Sequence, residues 1–131
     1  MFRTMLVEDN PSFRLILKDN LRDLFPSMEI VEAADGAEAF QKIDLHLPDL
    51  IFMDIRLPGE NGLELTGKIK ADHPGIIVIV LTSYESPEYR EAAVRFKADY
   101  FFSKDTITSD EIFTLVKSIV SKKDVSTESS E

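Results

Sequence analysis

The chain has 131 residues, a length that suits one domain around one continuous core. Its 24 Asp and Glu against 15 Lys and Arg give a formal net charge of -9, which argues against this segment holding DNA or anionic lipid, since both need clustered cations. Cysteine is absent, which excludes disulfides, thiolate nucleophiles and cysteine-held zinc, and no apolar run has the length of a membrane span or the form of a secretion signal.

Met5-Leu6-Val7 opens the pattern as an apolar run too short for a helix and reads as a strand. Asn10-Pro11 then offers a cap with proline at the first helical position. Phe13, Ile16, Leu17, Leu21 and Leu24 follow on one predicted helical face. Met28 to Ala34, interrupted by Glu29 and Glu32, suits an edge strand. Leu50 to Met53 and Ile76 to Leu81 are continuously apolar, as strands covered on both faces should be. His73-Pro74-Gly75 ends the third helical segment, and Ser86-Pro87 starts the fourth. Tyr100 to Phe102 is the last strand. Thr108 and Glu111 have the spacing of a capping box, before a helix that turns Ile112, Leu115, Val116 and Ile119 inward. His46 and His73 sit beside helix ends and read as solvated turn residues. From about Ser121 the composition becomes too polar for a core, so residues 1–121 are expected to fold as one domain and 122–131 to form a mobile tail.

Strand and helix thus alternate five times, which predicts an α/β fold with a parallel sheet. Right-handed crossovers leave few topologies. The expected one is a doubly wound, flavodoxin-like five-stranded parallel sheet of order 2-1-3-4-5, with helices on both faces and the Met28 run at an edge.

Chemistry-bearing residues cluster at strand ends. Glu8 and Asp9 follow the first run, Asp54 closes the third, Thr82 the fourth, and Lys104 follows the fifth. In a parallel sheet these carboxyl ends share one rim, where such folds bind ligands. Two carboxylates about 4 Å apart repel by roughly 4 kcal/mol at an effective dielectric near 20, so the cluster needs protons, a cation, or both. Oxygen ligands suit Mg²⁺, which takes one or two carboxylates together with a substrate phosphate. A carboxylate nucleophile attacking phosphorus would become an acyl phosphate, with the threonine hydroxyl and the lysine on the remaining oxygens.

The stretch Leu6-Val7-Glu8-Asp9-Asn10-Pro11, the stretch from Asp49 through Asp54 to Gly62, the pair Thr82-Ser83, and Phe101 three residues before Lys104 together resemble a response-regulator receiver domain of two-component signalling. The likeness spans roughly residues 3 to 120 in order and spacing. It is chemotaxis-regulator-like, closest in flavour to receivers that precede helix-turn-helix output domains. One departure is Asp105, where many receivers carry proline after the lysine. A trans Lys104–Asp105 bond is expected, since a non-proline cis bond costs about 3 kcal/mol.

The resemblance implies roles. Asp54 would accept a phosphoryl group from a phosphohistidine, on a sensor histidine kinase or a histidine phosphotransfer protein. Asp9 would bind Mg²⁺, with Glu8, Asp54 and the backbone carbonyl of Arg56 as further metal contacts. Thr82 and Lys104 would hold the phosphoryl group, Phe101 would switch with Thr82, and Arg56 and Tyr84 would tune the lifetime of the phosphoaspartate. The surface of the fourth helix, fifth strand and fifth helix would change, to control an effector or to form a phosphorylation-dependent homodimer. The chain would be a stand-alone regulator or the receiver half of a DNA-binding one. It would be cytoplasmic, without direct nucleic-acid or membrane binding, and not an enzyme toward external substrates.

Taken singly, each residue has a plainer explanation. Glu8 and Asp9 could be solvated turn acids, and Asp54 a strand-end acid. Thr82 could satisfy local backbone groups, Lys104 could be a surface cation, and Phe101 could be core packing. Their joint placement on one rim weighs against these. Other functions fit less well. A haloacid-dehalogenase-like phosphatase would want an aspartate two residues after the nucleophile, where Arg56 stands and cannot transfer protons. A flavodoxin-like carrier would want a phosphate-cradling loop, and Glu8-Asp9 repels phosphate. A receiver-like scaffold that is never phosphorylated would not need the full acid set.

Overall fold

Strand and helix alternate in the computed structural model, which describes residues 1–84 and 86–129, the side chains of 124–129 excepted. In chain order the elements are β1 (Arg3–Val7), α1 (Pro11–Leu24), β2 (Glu29–Ala33), α2 (Gly36–His46), β3 (Leu50–Met53), β4 (Arg56–Leu57), β5 (Glu60–Asn61), α3 (Gly62–Asp72), β6 (Ile77–Thr82), α4 (Pro87–Arg95), β7 (Tyr100–Ser103) and α5 (Ser109–Ser129). The main sheet is parallel, in the order β2-β1-β3-β6-β7. This is the expected 2-1-3-4-5 arrangement once the small pair β4–β5 is set aside. That pair is an antiparallel hairpin, Arg56 opposite Asn61 and Leu57 opposite Glu60, turning through Pro58 and a Gly59 at φ 75. A proline followed by a glycine at positive φ is ordinary turn chemistry.

Alternate residues of each strand face opposite sides, and the two sides pack different helices. Met5, Val7, Ile51, Met53 and Val78 meet Ala39 and Ile43 of α2 and Leu65 and Ile69 of α3. Leu6, Leu50, Phe52, Ile79 and Leu81 meet Leu17 and Leu21 of α1 and Ile112, Val116 and Ile119 of α5. A third cluster joins Val80, Ile55 and Leu63 to Ala93 of α4, with Phe101 packed against it.

Helix ends form as predicted. Asn10 caps α1, with Pro11 in its first turn, and Ser86 caps α4, again ahead of proline. Thr108 and Glu111 exchange capping bonds, each backbone N–H donating to the other's side chain at 3.1 Å. His73 closes α3, and the Lys104–Asp105 peptide is trans.

One core assignment is corrected. Ile16 is 65% exposed, whereas Leu17 is buried. Successive helical residues are rotated by roughly 100°, so the stripe centred on Phe13, Leu17, Leu21 and Leu24 leaves Ile16 at its margin. The polar segment 122–131, expected to be a mobile tail, continues the backbone of α5 through Ser129, and residues 130 and 131 lie outside the described residues. Among the described residues no helix is long and apolar enough to cross a membrane.

Candidate functional site

Main-chain bonds carry the sheet's ladder beyond its strands and fix the rim. Glu8 donates its N–H to the Ala33 carbonyl at 3.0 Å, Asp54 to that of Val7 at 3.0 Å, and Lys104 to that of Thr82 at 2.9 Å. Three chain segments far apart in sequence are thereby held side by side. The turn after β1 is closed by Asn10, whose Oδ1 accepts from the N–H groups of Ser12 and Phe13 at 3.0 and 3.1 Å. The Asn10 N–H in turn donates to Glu8 Oε2 at 3.1 Å. The capping turn of α1 therefore also orients an acid.

Glu8, Asp9 and Asp54 each offer a carboxylate oxygen to one locus, all within 4.8 Å of one another. Glu8 and Asp54 are buried, and Asp9 is exposed. Lys104 enters from the β7 end. Its ammonium is ion-paired with Glu8 and lies 3.2 Å from Asp54 Oδ2. The other oxygen of Asp54, Oδ1, accepts from the Ile55 N–H at 2.8 Å. The Lys104 ammonium also stands over the Phe13 ring, 4.5 Å from its centroid.

Burial, reinforced by the neighbouring Asp54 charge, raises the Glu8 carboxyl group to about 7, against the Lys104 and Asn10 contacts that favour its ionised form. For Lys104 burial pulls downward, yet bonds and charges from Glu8 and Asp54 outweigh it and hold the ammonium above its ordinary range. A notch with these potentials attracts cations. The ammonium already drawn between Glu8 and Asp54 is the chain's own demonstration, and three convergent carboxylates are a donor set that fits Mg²⁺.

Strand parity divides the remaining residues. Glu8, Asp54 and Lys104 share the parity of the strand residues that pack on α1 and α5, whereas Thr82 and Phe101 share that of the side packed on α4. Thr82 is fully buried, and its Oγ1 accepts from the Tyr84 N–H at 3.1 Å. Phe101 is half-buried in the α4 cluster, with the Arg90 guanidinium 4.8 Å from its ring centroid. Arg56, on the hairpin just after Asp54, stacks its guanidinium 3.8 Å from the centroid of Tyr84, itself 43% exposed. Glu8, Asp9, Asp54 and Lys104 are thus brought into direct association. Thr82, Phe101, Arg56 and Tyr84 form an adjoining group along β6, β7 and the hairpin.

The parts that two residues, Gly62 and Phe13, play at the site are not legible in the sequence. A Cβ on Gly62 would stand 1.8 Å from the Asp54 carbonyl oxygen, so only glycine lets α3 begin against the Asp54 backbone. The Asn61-Gly62 dipeptide signals a helix start but not this contact. Phe13 has the periodicity of a core residue, and nothing in its spacing points to Lys104.

The fold and this acidic, lysine-bearing rim define a class of α/β signalling domain. The family model of the response regulator receiver domain matches residues 4–117, and the chain belongs to that family. It is 36% identical over 109 residues to the oxygen regulatory protein NreC of Staphylococcus carnosus, covering 82% of this chain and 48% of that one. It is 33% identical over 102 residues to the chemotaxis protein CheY of Halobacterium salinarum, covering 78% of this chain and 83% of that one. A CheY-like response regulator receiver domain of Methanospirillum hungatei superimposes with a TM-score of 0.86 at 25% identity, covering 96% of this chain and 98% of the other. The chain spans 48%, 38% and 37% of the lengths of the first three curated relatives it matches.

Proposed function

We propose that the chain is a phosphoacceptor switch in which Asp54 takes a phosphoryl group from a phosphohistidine. The supporting observation is the convergence of the Glu8, Asp9 and Asp54 carboxylates on one locus, with the ammonium of Lys104 between Glu8 and Asp54. An Asp54 carboxylate oxygen attacks phosphorus, a P–O bond forms and the P–N bond to the donor imidazole breaks. The donor ring, protonated on its other nitrogen, keeps the electron pair and leaves as a neutral imidazole, and the product on this chain is an aspartyl phosphate.

Glu8, Asp9, Asp54 and the carbonyl of Arg56 would hold Mg²⁺. When bound, the ion neutralises charge on the phosphoryl oxygens. The chain's own residues do the rest. Ile55 N–H fixes one oxygen of Asp54 and so aims the other. Lys104, already inside the notch, supplies positive charge without having to be recruited from solvent. Thr82 releases the Tyr84 N–H and turns its hydroxyl to the phosphoryl group. That frees the Ser83–Tyr84 turn after β6 and lets Phe101 move inward, altering the surface of α4, β7 and α5. Shifting such an equilibrium from 1:99 to 99:1 takes about 5.5 kcal/mol of differential stabilisation, which several charge-assisted bonds supply. Arg56 stacked on Tyr84 covers the mouth and regulates how readily water reaches the acyl phosphate.

The donor is a sensor histidine kinase or a histidine phosphotransfer protein. The output is an effector engaged through the α4, β7 and α5 surface, or a homodimer through that surface. We take residues 1–121 as the receiver unit, acting in the cytoplasm on protein partners and not on external substrates. Incubation with acetyl phosphate and Mg²⁺ should add one phosphoryl group per chain, and chelation of the metal should prevent it. Asp54→Ala should abolish the addition, and labelling of that variant at unchanged stoichiometry would remove the assignment.

A further inference from the structure

Phe13 lies in the first turn of α1, half-buried. Its own N–H is bound by the Asn10 side chain, so the ring is locked to the turn that carries Glu8 and Asp9. With Glu8, Asp54, Met53 and Leu81 it lines the small hollow at the base of the notch. The ring face, 4.5 Å from the Lys104 ammonium, is within the range where a cation is attracted by the aromatic quadrupole.

Among the described residues, the Lys104 ammonium therefore meets two carboxylates and one π face. On the phosphoacceptor reading, on which this inference rests, both carboxylates change partners during the reaction. Glu8 and Asp54 would serve as ligands to Mg²⁺, and one oxygen of Asp54 becomes part of an acyl phosphate. The ring keeps its place. We propose that Phe13 is a positioning residue for Lys104, its ring face retaining the ammonium in the notch once the carboxylates are engaged elsewhere. Without it the flexible four-carbon stem would swing toward solvent, and the cation would meet the phosphoryl oxygens less often.

The test compares Phe13→Leu, which keeps an apolar side chain of similar bulk, with Phe13→Tyr, which keeps the ring. Acetyl phosphate is the donor: Asp54 attacks its phosphorus, the P–O bond to the acyl group breaks, and acetate leaves with the electron pair. Phe13→Leu should lower the maximal labelling rate by roughly threefold to tenfold. The half-saturating donor concentration should stay nearly unchanged, and Phe13→Tyr should label nearly as fast as the unaltered chain. An independent readout needs neither metal nor donor. The ε-methylene protons of Lys104 should show an upfield NMR shift from the ring, kept in Phe13→Tyr and lost in Phe13→Leu, while the remaining spectrum reports an intact fold. Equal rates for Phe13→Leu and the unaltered chain, equal slowing in both variants, or no ring shift on Lys104 would overturn the proposal. An unaltered chain that takes no label would instead remove the phosphoacceptor reading itself.

Discussion

Glu8 shows how burial sets the chemistry of a single residue here. Its carboxyl group titrates near 7, not at 4.5, chiefly because it is buried and only 4% exposed. A group whose folded-state value is raised favours the folded state below its unfolded value, and that contribution is lost as pH rises through the folded value. Glu8 therefore supports the metal-free fold below about 4.5 and progressively withdraws that support up to about 7. Metal binding has the opposite dependence, since a cation must displace the proton. Mg²⁺ affinity should rise by about tenfold between pH 6 and pH 8, which NMR titration would measure. In Glu8→Gln the pH dependence should largely vanish. A flat profile in the unaltered chain would place the titrating group elsewhere.

Elements matter through what their ends touch. The start of α3 lies so close to the Asp54 backbone that a methyl group on Gly62 would overlap the Asp54 carbonyl oxygen. Gly62→Ala should cost about 1–3 kcal/mol in urea unfolding. By displacing the Asp54 backbone it should also slow labelling by about tenfold or more, since small misplacements of a reacting group are costly. Labelling at the normal rate would show that α3 does not set the nucleophile's position. The same elements show what could be read in advance. Asp54 and Thr82 were legible because each ends an apolar run, and a parallel sheet sends such ends to one rim. Asn10, Ser86 and Thr108 were legible because capping is local chemistry. The β4–β5 hairpin was not, since two residues per strand leave no periodicity. Nor was the contact of Phe13 with Lys104, which joins segments that only the tertiary fold brings together. Ile16 was misplaced because helical spacing alone does not fix the width of the buried stripe.

The molecule as a whole separates its chemistry from a stabilising network at the opposite end of the sheet. There Asp99 accepts from the Val78 N–H at 2.8 Å and pairs with Lys70 at 2.9 Å, and Lys70 also donates to the Ile76 carbonyl at 2.8 Å. Asp99→Ala leaves the Val78 N–H without that acceptor and should destabilise the chain by about 1–3 kcal/mol in denaturant. Labelling of Asp54 at moderate temperature should change by less than about twofold, since rim geometry is set by bonds at the other end. Loss of labelling in step with stability would contradict this division. What this rim does is decided by where a phosphoryl group goes. Treating the labelled chain with borohydride reduces an aspartyl phosphate to homoserine, which peptide mass spectrometry locates. We expect homoserine at position 54 alone, formed only when both donor and Mg²⁺ were present. A phosphoryl group mapped to any other position, or homoserine at 54 formed equally without the metal, would contradict the account.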